Sequence, residues 1–218
     1  MMSCSIFSFV HVSFIMLDLY KDYFGQPGLY SLVSIATYAP TVLLLPVLNR
    51  MVARFGKRNL CAYGLLLSAA ASALAFILQT DNPYIFLTFC FMSGLGVTFL
   101  TMEIWALVTD VIDYQELLSR KREEGTTYAF FSFTRKMGQT IAGSGSSLIL
   151  DRIGYDISST QTGQAPAVVQ RMYSAATAIP AVVFFLMFVT LAFLYPLGKK
   201  EEEKMRTELQ KRRTEAQT

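Results

Sequence analysis

The chain has 218 residues, 53% of them hydrophobic and only 16% charged, with a mean hydropathy of +0.39 and a formal net charge of +3. A soluble domain carries about 25% charged residues to wet its surface, so this composition excludes an ordinary globular protein and implies a lipid-facing one. The basic residues are grouped as loop markers and a terminal run, which excludes a nucleic-acid-binding reading.

The first segment, Met1 to Leu17, is apolar and uncharged. A secretory signal needs a basic start and a small-residue cleavage site. Here the first basic residue is Lys21 and no such site follows, so a membrane span over residues 1–20 is expected. The second span, 29–48, lies in the uncharged run Tyr23 to Asn49 and carries Pro40 and Pro46, breakers that membrane helices tolerate as kinks. The third, 59–79, lies in the run Asn59 to Thr80, where the small residues Ser68 to Ala73 permit close helix packing.

The fourth span, 83–109, begins in the run Asn82 to Met102, and the sixth, 172–196, lies in the run Met172 to Gly198. A helix rising ~1.5 Å per residue needs roughly 20 apolar residues to cross the hydrocarbon core, and each of these four runs supplies them. The fifth span, 126–150, contains Arg135 and Lys136. Neither apolar piece beside that pair can cross alone, so one helix with two internal cations is expected.

The fold class is therefore an all-α integral membrane protein of six transmembrane helices over residues 1–198, followed by a charged, solvated tail over 199–218. Cytoplasmic loops are enriched in Lys and Arg. With the first residue inside, the inner loops and tail hold 14 basic residues, including Arg50, Arg54, Lys57 and Arg58, whereas the outer loops hold only Lys21, Arg152 and Arg171. Both termini are expected in the cytoplasm of a cell with this protein in its plasma membrane.

Cys4, Cys61 and Cys90 all fall in apolar segments without a C-x-x-C spacing and are expected as small core residues. His11 stands alone with no metal-ligand spacing around it, and there is no phosphate loop, nucleophile elbow or dinucleotide fingerprint. Neither an enzyme nor a metal or cofactor site is expected.

On the fifth span, Ala129, Ser132, Lys136, Thr140, Gly143 and Ser147 form a small or polar stripe with Gln139 beside it, opposite a mostly bulky and apolar stripe of Phe130, Thr134, Met137, Ile141 and Leu148. A cation in the bilayer costs on the order of 3 kcal/mol, so Lys136 is expected to face a cavity, with Arg135 about 100° around the helix. Glu103 is the one acid in the apolar body of the fourth span and is level with Lys136 in an antiparallel hairpin. It either pairs with Lys136 or faces another helix or the interface. Asp110, Asp113 and Glu116 end the fourth span and precede Arg120, Lys121 and Arg122. The alternatives there are a solvated loop of mixed charge and a cytoplasmic gate of interlocked ion pairs.

Trp105-Ala106-Leu107, Asp110-x-x-Asp113-Tyr114-x-Glu116, Arg122-x-Glu124-Gly125-x-x-Tyr128 and Phe131-Ser132-Phe133-Thr134-Arg135-Lys136-x-Gly138-Gln139 together resemble one stretch of the glycoside-pentoside-hexuronide:cation symporters, especially their glucuronide and xyloside carriers. That family has the major facilitator fold of twelve helices, and this chain resembles its second, C-terminal six-helix half. The resemblance implies a sugar or glycoside substrate, H+ or Na+ as coupling cation, and alternating access. It implies a partner too: a separate N-terminal half or a second copy. The alternative is a truncated or split-gene product, inactive alone.

Lys136 aligns with a family lysine near the sugar and cation sites, and Asp110, Asp113 and Arg122 align with inner-loop residues of conformational coupling. The candidate cavity residues are thus Lys136, Arg135, Gln139, Thr140, Ser132, Trp105 and Glu103; the candidate gate is Asp110, Asp113, Tyr114, Glu116 and Arg122. Three roles suit Lys136: donating to sugar hydroxyls, neutralising a hexuronide carboxylate, or repelling the coupling cation. Arg135 supplies a second cation suited to bidentate contact.

Overall fold

A computed structural model describes residues 16–156 and 164–215, all helix and connection. A short helical segment over 16–22 is α1. The rest are α2 (Tyr30–Phe55), α3 (Lys57–Leu78), α4 (Pro83–Ser119), α5 (Glu124–Ile153), α6 (Pro166–Val189) and α7 (Lys199–Glu215). A 3-10 turn, Pro27–Leu29, leads into α2, and a π-helical turn, Thr190–Leu194, ends α6.

Four helical stretches are long and apolar enough to cross a bilayer: Pro27–Phe55, Lys57–Leu78, Pro83–Ser119 and Pro166–Leu194. They contain the second, third, fourth and sixth expected spans. Most of the first, with Cys4 and His11, lies outside the described residues. The fifth is a continuous helix of 30 residues, about 45 Å long, but Arg135, Lys136 and the polar residues around them leave it less apolar than the other four.

The helix ends follow from local chemistry. Asn82 caps α4 by accepting a hydrogen bond from the Tyr84 N–H at 2.9 Å, and Pro83 takes the first turn, where its missing N–H costs nothing. Gly56, at φ +81°, is the whole connection between α2 and α3, a left-handed conformation that a side chain would strain. Gly154 ends α5 in a Schellman motif, its N–H bonding to the Asp151 carbonyl and that of Tyr155 to the Leu150 carbonyl.

Helix α3 lies between α4 and α6, α2 packs on the other side of α4, and α5 touches α4 and α6 at only a few positions. Small residues set the α3–α4 crossing: Ser68 and Ala69 are buried, and Ser68 Oγ donates to the Ser93 carbonyl at 2.7 Å. Near Asp81 an aromatic cluster of Tyr20, Phe24, Phe86 and Tyr173 closes the bundle, with Phe86 and Tyr173 centroids 5.5 Å apart. Nearer Gly56, Cys61, Leu65, Leu107, Phe184 and Met187 join α3, α4 and α6. Cys61 is buried and Cys90 half-buried, both as free thiols. Large apolar residues on the outside, such as Ile35, Val42, Ile77 and Phe193, suit lipid rather than water.

Within the charged tail expected over 199–218, residues Lys199–Glu215 form α7. It folds back so that Met205 and Leu209, with Leu197, are buried against Tyr114, Leu117 and Tyr195. Lys199 Nζ reaches the Ala53 carbonyl at 2.6 Å, and Arg212 donates to the Leu117 carbonyl at 3.1 Å. Two apolar residues four apart give an otherwise charged helix one face to bury.

Candidate functional site

A half-open cleft of about 580 Å³ runs along α4 from Phe86 to Trp105, walled by α1, α2, α3, α5 and α6. Its size is that of a small-molecule site. Three of its polar groups come from Thr37 and Thr41 of α2 and Thr98 of α4; the Thr41 and Thr98 hydroxyls meet at 3.3 Å. Prolines shape the walls. Pro40 is buried in α2, and Pro180 lines the cleft from α6; each lacks an N–H and so frees the carbonyl four residues earlier.

Of the expected cavity residues, Trp105, Arg135 and Gln139 line this cleft. Trp105 is held by Phe131 at a centroid distance of 5.0 Å and Tyr128 at 6.4 Å. Arg135 and Gln139 are one helical turn apart on the same face of α5. Ser132, Lys136 and Thr140 are exposed on the neighbouring face and do not line the cleft.

Of the two alternatives for Glu103, pairing with Lys136 or facing another helix, the structure has the second. Glu103 points toward α3, within electrostatic reach of Lys57 and Cys61. Helix α5 buries Phe131, Gly138, Ala142 and Ser146, one residue around from the stripe read on the sequence, so Lys136 is left exposed. The signal for this was present in Gly138-x-x-x-Ala142-x-x-x-Ser146, small residues at every fourth position that permit close approach.

The acids at the far end of α4 form two separate ion networks. The first is buried. Lys57 Nζ, from the first turn of α3, lies 2.5 Å from Asp110 Oδ2 and 3.0 Å from Glu202 of α7, and Arg206 bridges Glu202 at 2.9 Å and Asp110 at 3.5 Å. The Asp110 side chain is only 3% exposed, so its charge depends on these cations. Glu202 and Arg206 were missed on the sequence because α7 was treated as solvated. Their spacing of four was the available signal.

The second network is exposed. Arg122 meets Asp113 at 2.8 Å, Glu116 at 2.6 Å and Glu124 at 2.5 Å. Hydrogen bonds to Glu124, Glu116 and Asp113, in that order, raise the guanidinium's pKa above its ordinary value, so it stays charged throughout the physiological range. Tyr114 belongs to neither network and packs against α7. Arg58 does not join the acids: it donates to the Leu191 carbonyl at 3.2 Å and to the Ala192 carbonyl, satisfying the unwound end of α6.

Among the described residues no cluster of His, Cys, Asp and Glu is placed to hold a metal ion. The arrangement is a cleft between helices, with hydroxyls, an amide, one guanidinium and an indole on its walls, and interlocked charges beyond one end.

Residues 2–199 match a family model described as MFS/sugar transport protein. The chain is 34% identical over 213 residues to the glucuronide carrier protein homolog of Escherichia coli (strain K12), covering 96% of this chain and 45% of that one. It is 31% identical over 187 residues to the uncharacterized symporter YjmB of Bacillus subtilis (strain 168), covering 85% and 40% respectively. A second Bacillus subtilis protein, the uncharacterized symporter YnaJ, is 30% identical over 173 residues, covering 79% and 36%. The chain thus spans less than half the length of these curated relatives.

Proposed function

The chain belongs to the MFS/sugar transport protein family, among the glycoside-pentoside-hexuronide:cation symporters, and from that premise we propose that it is the C-terminal half of a secondary active sugar:cation symporter working by alternating access. It crosses the plasma membrane six times in this reading, with α5 and the first span expected from the sequence over residues 1–20 completing the count and both termini cytoplasmic. The observation that carries it is the cleft, lined by six helices yet open on one side, next to an α5 stripe of Ser132, Lys136, Thr140 and Ser147 that is exposed and small or polar.

Exposed to lipid, such a stripe with its cation is costly; facing a second six-helix half across a hydrated cavity, it is not. The sugar would bind near the midplane between the halves. Because sugar and cation favour the same occluded state, the cation gradient drives uphill sugar entry. The Lys57–Asp110 and Arg122 networks hold the inner ends of α3, α4, α5 and α7 together as one half rocks against the other. Lys136, on the stripe, belongs to the face that meets the missing half.

The test is to co-express this chain with the N-terminal half of the Escherichia coli glucuronide carrier homolog and measure uptake of a labelled methyl glycoside under an imposed H+ or Na+ gradient. Gradient-dependent uptake by the pair, absent from either half alone, is the expected result. No uptake from a pair that assembles in the membrane would count against the reading.

A further inference from the structure

Contacts along the α3–α4 seam fix an antiparallel register. Ser68 Oγ meets the Ser93 carbonyl at 2.7 Å, Gly64 lies against Gly96, and Cys61 Sγ meets the Phe99 carbonyl at 3.5 Å. One more turn toward Gly56 brings Lys57 level with Glu103, whereas Asp110, which Lys57 holds, lies seven residues or about 10 Å further along α4. Lys57 is thus stretched along the seam, away from a carboxylate at its own level, to reach another. Of the charges acting on Glu103, Lys57 is the strongest, ahead of Asp110 and Glu202.

The charges in this seam do not balance. Three carboxylates, Glu103, Asp110 and Glu202, share two cations, Lys57 and Arg206, and both cations are engaged by Asp110 and Glu202. Arg58, next along α3, is turned to the Leu191 and Ala192 carbonyls; Arg50 and Arg54 of α2 are exposed, and Arg135 of α5 lines the cleft. The other titratable groups at the seam are Cys61 and Tyr195, whose hydroxyl donates to the Leu107 carbonyl at 3.4 Å. A carboxylate left without a cation between membrane helices is costly, and a proton removes that cost.

We propose that Glu103 is a proton-binding site inside this chain, and that Lys57 moves between Asp110 and Glu103 as the proton comes and goes. With Glu103 neutral, Lys57 stays with Asp110 and Glu202, the arrangement observed, and α7 is docked. Release of the proton from the Glu103 carboxyl to water leaves a carboxylate level with Lys57. A change of lysine rotamer carries the ammonium to it, and Asp110 and Glu202 keep only Arg206. One of the two cations that tie α7 to α3 and α4 is then gone, so α7 loosens as pH rises and docks as pH falls.

The full chain in lipid nanodiscs is taken from about pH 4 to about pH 9 with two readouts. One is the carboxylic-acid C=O stretch in infrared difference spectra; the other is amide hydrogen exchange of α7, corrected for the intrinsic effect of pH. In the wild type a carboxylic-acid band should disappear as pH rises, and α7 should exchange at least about 10-fold faster over the same interval. Glu103→Gln should lack that band and keep α7 protected throughout, while Glu103→Asp, which retains an acid, should keep both changes. Lys57→Met should move the loss of the band up by about one pH unit or more, because the cation that favours the carboxylate is gone, and should uncouple α7 from it.

A titrating band that persists in Glu103→Gln, or no titrating band in the wild type, overturns the proton site. A Glu103 band that titrates while α7 exchange stays level overturns the movement of Lys57. So does a pH-dependent α7 exchange that survives in Glu103→Gln.

Discussion

Gly64 of α3 and Gly96 of α4 meet backbone to backbone: a methyl group on Gly64 would stand 2.5 Å from the Gly96 carbonyl oxygen, with the Phe99 ring at 2.9 Å. Both neighbours are fixed, one as backbone and one by packing, so the crossing has no room to yield. Gly64→Ala should force α3 and α4 apart and cost about 1–3 kcal/mol. A fall in the detergent melting temperature checks this, with Gly143→Ala, where a Cβ meets nothing within 4 Å, as the control that should not fall.

The buried and exposed ion networks should respond differently. Removing one partner of a buried pair costs about 3–5 kcal/mol because the other charge is stranded. Asp110→Leu strands Lys57 only in part, since Glu202 remains 3.0 Å away, so its cost should lie near the lower end of that range. Adding Lys57→Met should recover part of the loss. Arg122→Gln removes three exposed contacts and should cost under about 1 kcal/mol, less still at high salt. Melting curves of the four proteins decide it; a double variant less stable than Asp110→Leu would contradict the buried-pair account.

Ending the chain after Gly198 removes α7 and with it the cover over Tyr114 and Leu117 and two partners of the buried network. The shortened chain should melt earlier and be cut faster by trypsin at Arg120, Lys121 and Arg122. Identical melting and cleavage would mean that α7 does not stay docked.

The proposed orientation puts Gly56 inside and Asp81 outside. Arg54→Cys and Asp81→Cys, each in a background with Cys4, Cys61 and Cys90 changed to Ser, should differ in intact cells. A membrane-impermeant maleimide should label the second and reach the first only after lysis. The opposite pattern would invert the topology.

How far the sequence told this in advance depended on what each contact required. The four apolar helices were legible because crossing a bilayer needs a long uncharged run, and such runs survive inspection without any tertiary information. The rotation of α5 was not, because Arg135 and Lys136 are adjacent and only packing decides which of two polar faces turns inward. Gly138, Ala142 and Ser146 decided it, and they are as small as the residues of the rival stripe. The docking of α7 was hidden for a different reason: Met205 and Leu209 are two apolar positions in a helix otherwise full of charge. The candidate gate was half legible. Arg122 finds its acids within nine residues along the chain, whereas Lys57 finds Asp110 across 53.

The guanidinium of Arg58 sets a schedule for manufacture. Its acceptors, the carbonyls of Leu191 and Ala192, are 133 and 134 residues further along the chain. At ~5–20 residues per second, a ribosome delivers them roughly 7 to 27 s after Arg58 itself. Throughout that interval the inner end of α3 carries a cation whose final partners do not exist, so the nascent bundle stays open at this end until the sixth helix emerges. A pause or truncation before Leu191 would leave a protein with its helices inserted and its seam undone, the form that a membrane quality-control protease is built to find.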